Sequence, residues 1–139
     1  MNIAAVKILL LPLILTLLFT APARAAGESK LPLPYGLYMP EGADCPKPGE
    51  TPDRTQACYY NEEGLSFYLR RCKLLSVRHQ GNVYYLTQRC LAKGEDYLTL
   101  DFTVTIKSKT FFSLLNTEWE QQRTGKKETV YHYCGKSPL

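Results

Sequence analysis

The side chains best suited to covalent or metal chemistry are five cysteines, Cys45, Cys58, Cys72, Cys90 and Cys134, and two histidines, His79 and His132. A nucleophilic centre needs a thiol or hydroxyl with a base within hydrogen-bond reach. A zinc or dithiol redox site announces itself by close thiol spacing. No C-x-x-C occurs, so neither a thioredoxin-like pair nor a zinc ribbon is offered. Nor is there an H-E-x-x-H, a Walker A loop, a dinucleotide fingerprint or an EF-hand loop. His79 beside a turn reads as a solvated residue, and His132 between two tyrosines as a sheet residue. Cys58 with His132 is the one conceivable nucleophile–base couple, and the residues around it resemble no nucleophile setting. Glu62-Glu63 and Glu118 with Glu120 read as a solvated turn and a polar strand face. The expectation is a non-enzymatic protein with no metal and no cofactor.

The cysteines instead suit cross-linking. Residues 1–25 read as a signal peptide: Lys7 gives a positive start, Ile8 to Phe19 an apolar run, and Ala23-Arg24-Ala25 the small residues before a cut ahead of Ala26. About twelve apolar residues are too few to span a bilayer, and nothing later is apolar for long enough, so no membrane span is expected. All five cysteines lie in the exported part, where an oxidising compartment favours pairing. At most two bridges form, and one thiol is left over.

Export also corrects the charge. The whole sequence carries +4, but Lys7 and Arg24 leave with the leader, so 15 Lys/Arg remain against 13 Asp/Glu, a net +2. That balance gives no support to a nucleic-acid partner. Its distribution is uneven: Glu41 to Glu63 carries six acids against Lys47 and Arg54, whereas Arg70 to Cys90 carries five bases and no acid.

The elements that must position the thiols are strands. Residues 26–34, with Pro32 and Pro34, read as an N-terminal tether, and 35–139 as a single β domain. Tyr35 to Met39 suits a first strand. Residues 40–56, with four prolines and two glycines, read as a surface loop that Cys45 anchors. ACYYN and LSFYL flank a turn at Glu62-Glu63-Gly64. LTLDFTVTI, Leu98 to Ile106, alternates apolar and polar residues without a fault, as a half-buried strand does. TFFSLL follows Lys107-Ser108-Lys109, and TEWEQQR and KKETVYHYC flank Thr124-Gly125-Lys126 as a further hairpin. The fold class is all-β: about eight short antiparallel strands in a meander, closed as a barrel or packed as a two-layer sandwich, since closure removes exposed edges.

Within this scheme Cys72 and Cys90 stand nine residues either side of Gly81. Gly81-Asn82 suits a two-residue turn with glycine first, placing Gln80 against Val83 and Val77 against Leu86. Continued unbroken, that register sends the two thiols to opposite faces. A three-residue loop would bring them together, and so would a one-residue bulge near Leu75. The bulge explains more, because apolar parity switches between Leu74 and Val77. It predicts a Cys72–Cys90 bridge. In a closed meander the last strand returns beside the first, which predicts Cys45–Cys134 and leaves Cys58 over, as a buried small hydrophobe or a link between two copies.

What remains for function is surface. Arg71, Arg78, Tyr84, Tyr85 and Arg89 crowd one hairpin, and Tyr and Arg are enriched at protein-binding hot spots. Arg78 and Tyr85 fall on the outer face as neighbours. The leading expectation is a periplasmic or secreted protein engaging a partner in the cell envelope. The alternatives are a barrel carrying a small ligand among interior aromatics such as Phe67, Phe102 and Trp119, and an envelope or secretion accessory protein.

The layout Gly36-x-Tyr38, Cys45, Tyr59-Tyr60, Gly64, Cys72, Tyr84-Tyr85, Cys90 and Tyr131-x-Tyr133-Cys134 resembles a group of small exported proteobacterial β-proteins with no assigned activity. The architecture is also similar to that of periplasmic lysozyme inhibitors and immunity proteins, which block an attacking enzyme by plugging its site. The S-G-x-x-Y and Y-x-x-x-T-K-G motifs of C-type lysozyme inhibitors are absent. The resemblance therefore implies an inhibitor- or immunity-like mode of action and transfers no inhibitory residue.

Overall fold

A computed structural model describes residues 31–67, 70–91, 94 and 96–136, with the backbone alone at Trp119 and Glu120. The expected signal peptide, residues 1–25, and residues 26–30 of the expected tether lie outside the described residues, as does the Trp119 side chain. The elements run β1 (Gly36–Pro40), β2 (Cys58–Asn61), β3 (Gly64–Phe67), β4 (Arg71–Gln80), β5 (Val83–Leu91), β6 (Leu98–Ile106), β7 (Phe111–Leu115), α1 (Glu118–Thr124) and β8 (Glu128–Gly135). All strands belong to one antiparallel sheet in the order β3-β2-β1-β8-β7-β6-β5-β4. Each strand therefore lies beside its sequence neighbour, and β1 lies beside β8. The two ends of the order, β3 and β4, are consecutive in the chain, so the sheet curls into a nearly closed barrel.

The pleat decides what fills it. Tyr38 of β1, Tyr60 of β2, Phe67 of β3, Leu86 of β5, Val104 of β6, Phe112 of β7 and Tyr131 of β8 converge in one core. Phe112 stacks on Tyr131 at 5.1 Å and takes the edge of Tyr38 at 5.2 Å. Each such ring contributes roughly 1.5–3 kcal/mol through burial. The Tyr38 hydroxyl, buried with the ring, donates to the Pro34 carbonyl at 2.7 Å, and burial pushes its pKa up. Phe67 and Phe102 meet at 5.5 Å inside this core. Despite the prolines, Leu31 and Leu33 are also buried in it, so the last part of the tether segment belongs to the domain.

The β4–β5 hairpin has the bulged form. Gln80 pairs with Val83 and Val77 with Leu86, the register shifts between Leu74 and Ser76, and Cys72 comes opposite Cys90. Gly81 takes φ +60°, the glycine-first turn geometry. The displaced residue, Leu75, is 55% exposed. Both expected disulfides form, Cys72–Cys90 and Cys45–Cys134, and Cys58 is a free thiol within the core.

One expected strand is a helix. TEWEQQR does not pair across Thr124–Lys126; it forms α1. Thr117-x-x-Glu120 has the spacing of a capping box, acids occupy the first turn and Arg123 the last, and Gly125 at φ +68° ends it. Buried Asn116 fixes the helix between β7 and β8. Its amide donates to the Lys126 carbonyl at 2.9 Å, its side-chain oxygen accepts from Thr129 Oγ1 at 2.9 Å, and its carbonyl accepts from Gln121 Nε2 at 2.8 Å.

The barrel seam lies between β3 and β4, the two ends of the strand order, which form no ladder. Leu74 N donates to the Glu63 carbonyl at 2.6 Å and Cys72 N to Ser66 Oγ at 3.1 Å. From inside, Gln88 of β5 completes the closure: its Nε2 donates to the Leu65 carbonyl at 3.0 Å, and its Oε1 accepts from Leu65 N at 2.9 Å.

Candidate functional site

Strand parity sorts the residues of the hairpin. Cys72, Leu74, Val77, Leu86, Gln88 and Cys90 turn inward; Arg71, Lys73, Arg78, Tyr85 and Arg89 turn outward and are exposed. Arg78 stands directly opposite Tyr85, as expected. Lys73 stands directly opposite Arg89, placing two like charges as cross-strand neighbours, an arrangement that opposes folding. Arg89 relieves part of this by lying 4.5 Å over the ring of Tyr97. Among the described residues no carboxylate forms an ion pair with Arg71, Lys73, Arg78 or Arg89. Asp101 on neighbouring β6 accepts a hydrogen bond from Thr87 Oγ1 at 2.7 Å.

Tyr84 does not join this surface. It shares the inward parity of Leu86, packs against the core and stacks on the His79 ring at 5.1 Å. The sequence pair Tyr84-Tyr85 is thus split across the sheet, because successive residues of a strand point to opposite faces.

Beside the outward cations, the seam opens as a cleft of about 730 Å³. Arg54, Arg70, Arg71 and Lys136 line it together with Tyr35 and Tyr59. The Tyr59 phenol is pushed up by burial, against which the Arg54 charge pulls down. Arg71 belongs both to the cleft and to the hairpin face, so the two basic regions are continuous. Sequence reasoning missed Arg54 and Lys136; only folding brings the 40–57 loop and the end of β8 to the seam.

That loop carries Glu41, Asp44, Glu50 and Asp53, and the β2–β3 turn carries Glu62 and Glu63. Ala43 and Ala57 cover Leu37 and Met39 on the outside of β1, and Cys45 is tied to Cys134 on β8. Glu41, Asp44, Glu50, Asp53, Glu62 and Glu63 are all exposed. Asp53 accepts from Thr55 Oγ1 and then from Thr55 N, which lowers its pKa. In an eight-strand circuit β1 lies four strands from β5, so the part of the loop packed on β1 faces away from the hairpin, whereas Glu63 lines the seam cleft beside Arg70 and Arg71.

The nucleophile–base couple does not form: Cys58 points into the core, where burial pushes its thiol up, and His132 faces outward. His132 Nε2 lies instead 3.5 Å from Cys45 Sγ, and the ligand atoms of Cys45, His132 and Cys134 all lie within 4.8 Å of one another. Spacing in the sequence gives no hint of this, since Cys45 and His132 are 87 residues apart. No described helix is long and apolar enough to cross a membrane. Comparison of the chain with protein families, curated proteins and solved structures finds no match.

Proposed function

We propose that this is an exported, non-enzymatic binding protein that uses the outer face of β4 and β5 to engage an acidic protein partner in the cell envelope, as inhibitors and immunity proteins engage theirs. The carrying observation is the juxtaposition of Lys73 with Arg89, flanked by Arg71, Arg78 and Tyr85. A like-charge pair costs folding energy wherever nothing neutralises it, and an acidic partner is what would. Tyr85, 42% exposed beside Arg78, supplies the amphipathic contact area of a hot spot. Two disulfides fit an oxidising compartment and a scaffold that stays rigid there. The test is capture of a partner from an envelope extract at low and high salt. Capture falls on Arg78→Ala or Tyr85→Ala and weakens with salt; unchanged capture removes the hairpin from the binding surface.

A small-ligand carrier is the second reading, favoured by the seam cleft. The barrel interior is occupied by packed aromatic and aliphatic side chains, so a cargo would sit at the seam among Arg54, Arg70, Arg71 and Lys136. Those cations outnumber the carboxylate of Glu63 in the lining, so such a cargo carries negative charge. Loss of ligand retention on Arg54→Ala, with partner capture intact, would favour this reading over the first.

A further inference from the structure

The two disulfides have different surroundings. Cys72 and Cys90 are each 1% exposed. Cys45 is exposed and Cys134 half-buried, and an imidazole nitrogen stands against the bridge. We propose that two-electron reduction of Cys45–Cys134 converts this corner into a three-ligand site for a thiophilic divalent cation of the zinc type, held by Cys45 Sγ, Cys134 Sγ and His132 Nε2.

Distances carry the proposal. Tetrahedral zinc with bonds of about 2.3 Å to sulfur and about 2.05 Å to nitrogen sets its sulfur and nitrogen ligands about 3.6 Å apart. Cys45 Sγ and His132 Nε2 already stand 3.5 Å apart. The two sulfurs would have to part to about 3.8 Å, the separation of two thiolates on one zinc. Cys45 is free to make that move, because it sits in the 41–57 loop and belongs to no strand. His132 is held on both sides, opposite Met39 of β1 and Phe111 of β7, whereas Cys134 is the bulged residue of β8, between Tyr133 and Gly135, which pair with β1. One ligand fixed in the sheet, one at a bulge and one in a loop allow the site to adjust to the metal. Two thiolates and an imidazole select a soft or borderline cation over magnesium or calcium. Three protein ligands leave a fourth position for water or a partner group.

The reaction balances with a dithiol reductant. One reductant thiolate attacks a bridge sulfur, the S–S bond breaks, and the displaced protein thiolate takes a proton. The second reductant thiol then releases the other protein thiol and leaves as a disulfide. Cation binding to the two thiols expels two protons. In the oxidised protein neither sulfur carries a charge, and the site does not form. Metal affinity would thus report the redox state of the envelope.

The test uses the full exported chain and Co²⁺ as a spectroscopic substitute for zinc. The chain is reduced by a dithiol, freed of it by anaerobic gel filtration, and checked by thiol labelling and mass spectrometry for free Cys45 and Cys134. The reduced protein is expected to bind one equivalent of Co²⁺ with near-ultraviolet sulfur-to-cobalt charge transfer, and the oxidised protein none. Cys45→Ser abolishes the band. His132→Ala weakens binding by more than about tenfold, the least that even loss of a supporting group costs such sites. Cys58→Ala leaves it unchanged. Absence of charge transfer with Cys45 and Cys134 free overturns the proposal. So does equal affinity in wild type, Cys45→Ser and His132→Ala, which would place the metal on other thiols. A reduced chain that unfolds by circular dichroism and is not restored by Co²⁺ overturns it as well.

Discussion

Gln88 and Leu65 are joined as though they were residues of neighbouring strands. The wholly buried carboxamide of Gln88 makes both hydrogen bonds that a ladder partner would make to Leu65, at 2.9 and 3.0 Å. A side chain thereby supplies the pairing that the short β3 cannot obtain from β4. Gly64, at φ +137°, leaves the room for it, since a Cβ there would collide with Gln88 Oε1.

Gln88→Leu removes both bonds and leaves the Leu65 N–H and C=O buried without partners. Each orphaned group costs about 1–3 kcal/mol, so a loss of about 2–5 kcal/mol is expected in urea denaturation. Gly64→Ala is also destabilising, and less so when Gln88 is already Ala, because the collision is then gone. Additive costs in that double mutant would show that Gln88 does not fill the space beside Gly64.

Lys73→Glu separates folding from function. It turns a repulsive cross-strand pair with Arg89 into an attractive one, for a gain of about 0.5 kcal/mol. The same change weakens partner capture. A variant that is more stable and captures less supports a surface kept basic for binding; a less stable one places the pair's role in the fold.

The bridges differ in the loops they close, 89 residues for Cys45–Cys134 and 18 for Cys72–Cys90. Chain entropy puts the losses on removal at about 4.5 and 3 kcal/mol. Denaturation of the two double-alanine variants is expected in that order; a reversal would mean that the buried Cys72–Cys90 bridge contributes more through packing than through entropy.

Alkaline pH destabilises the barrel. Burial raises the folded pKa of Cys58 well above 9.0, so the folded state holds a proton that the unfolded chain releases. The stabilisation is complete below the unfolded thiol's pKa and is lost as pH rises toward the folded one, at about 1.4 kcal/mol per pH unit. Above pH 10 the buried Tyr38 adds to the slope in the same sense. Cys58→Ala flattens stability between about pH 8.5 and 10; an unchanged slope there would assign the effect to other groups.

The hairpin was legible because its errors were informative. A parity break between Leu74 and Val77 has one local remedy, an extra residue, and that remedy aligns Cys72 with Cys90. The return of β8 to β1 followed from closing a meander. Alpha-helix α1 was missed although Thr117-x-x-Glu120 is a capping signal, because the turn residues after Thr124 suggested a hairpin just as well. Gln88 looks like one polar residue among others in LTQRC; only the missing ladder between β3 and β4 makes it a structural group. Of the candidate surface, Arg71, Arg78, Tyr85 and Arg89 share the outer face, while Tyr84 went inward by the alternation that placed Tyr85 outward. The Cys45–His132–Cys134 corner joins β8 to the 41–57 loop: the Cys45–Cys134 link follows from closing the meander, and His132 joins it only through its place two residues before Cys134 on the same face of β8.

Photo-crosslinking in the envelope asks most directly whether the β4–β5 face is what this protein uses. A photoreactive side chain replaces Tyr85 in one variant and Glu62, exposed in the β2–β3 turn, in another. One discrete adduct with an acidic protein is predicted from position 85, diminished when Lys73→Glu is added, and none from position 62. Equal adducts from both positions, or none from position 85, would contradict a partner-binding role for this face.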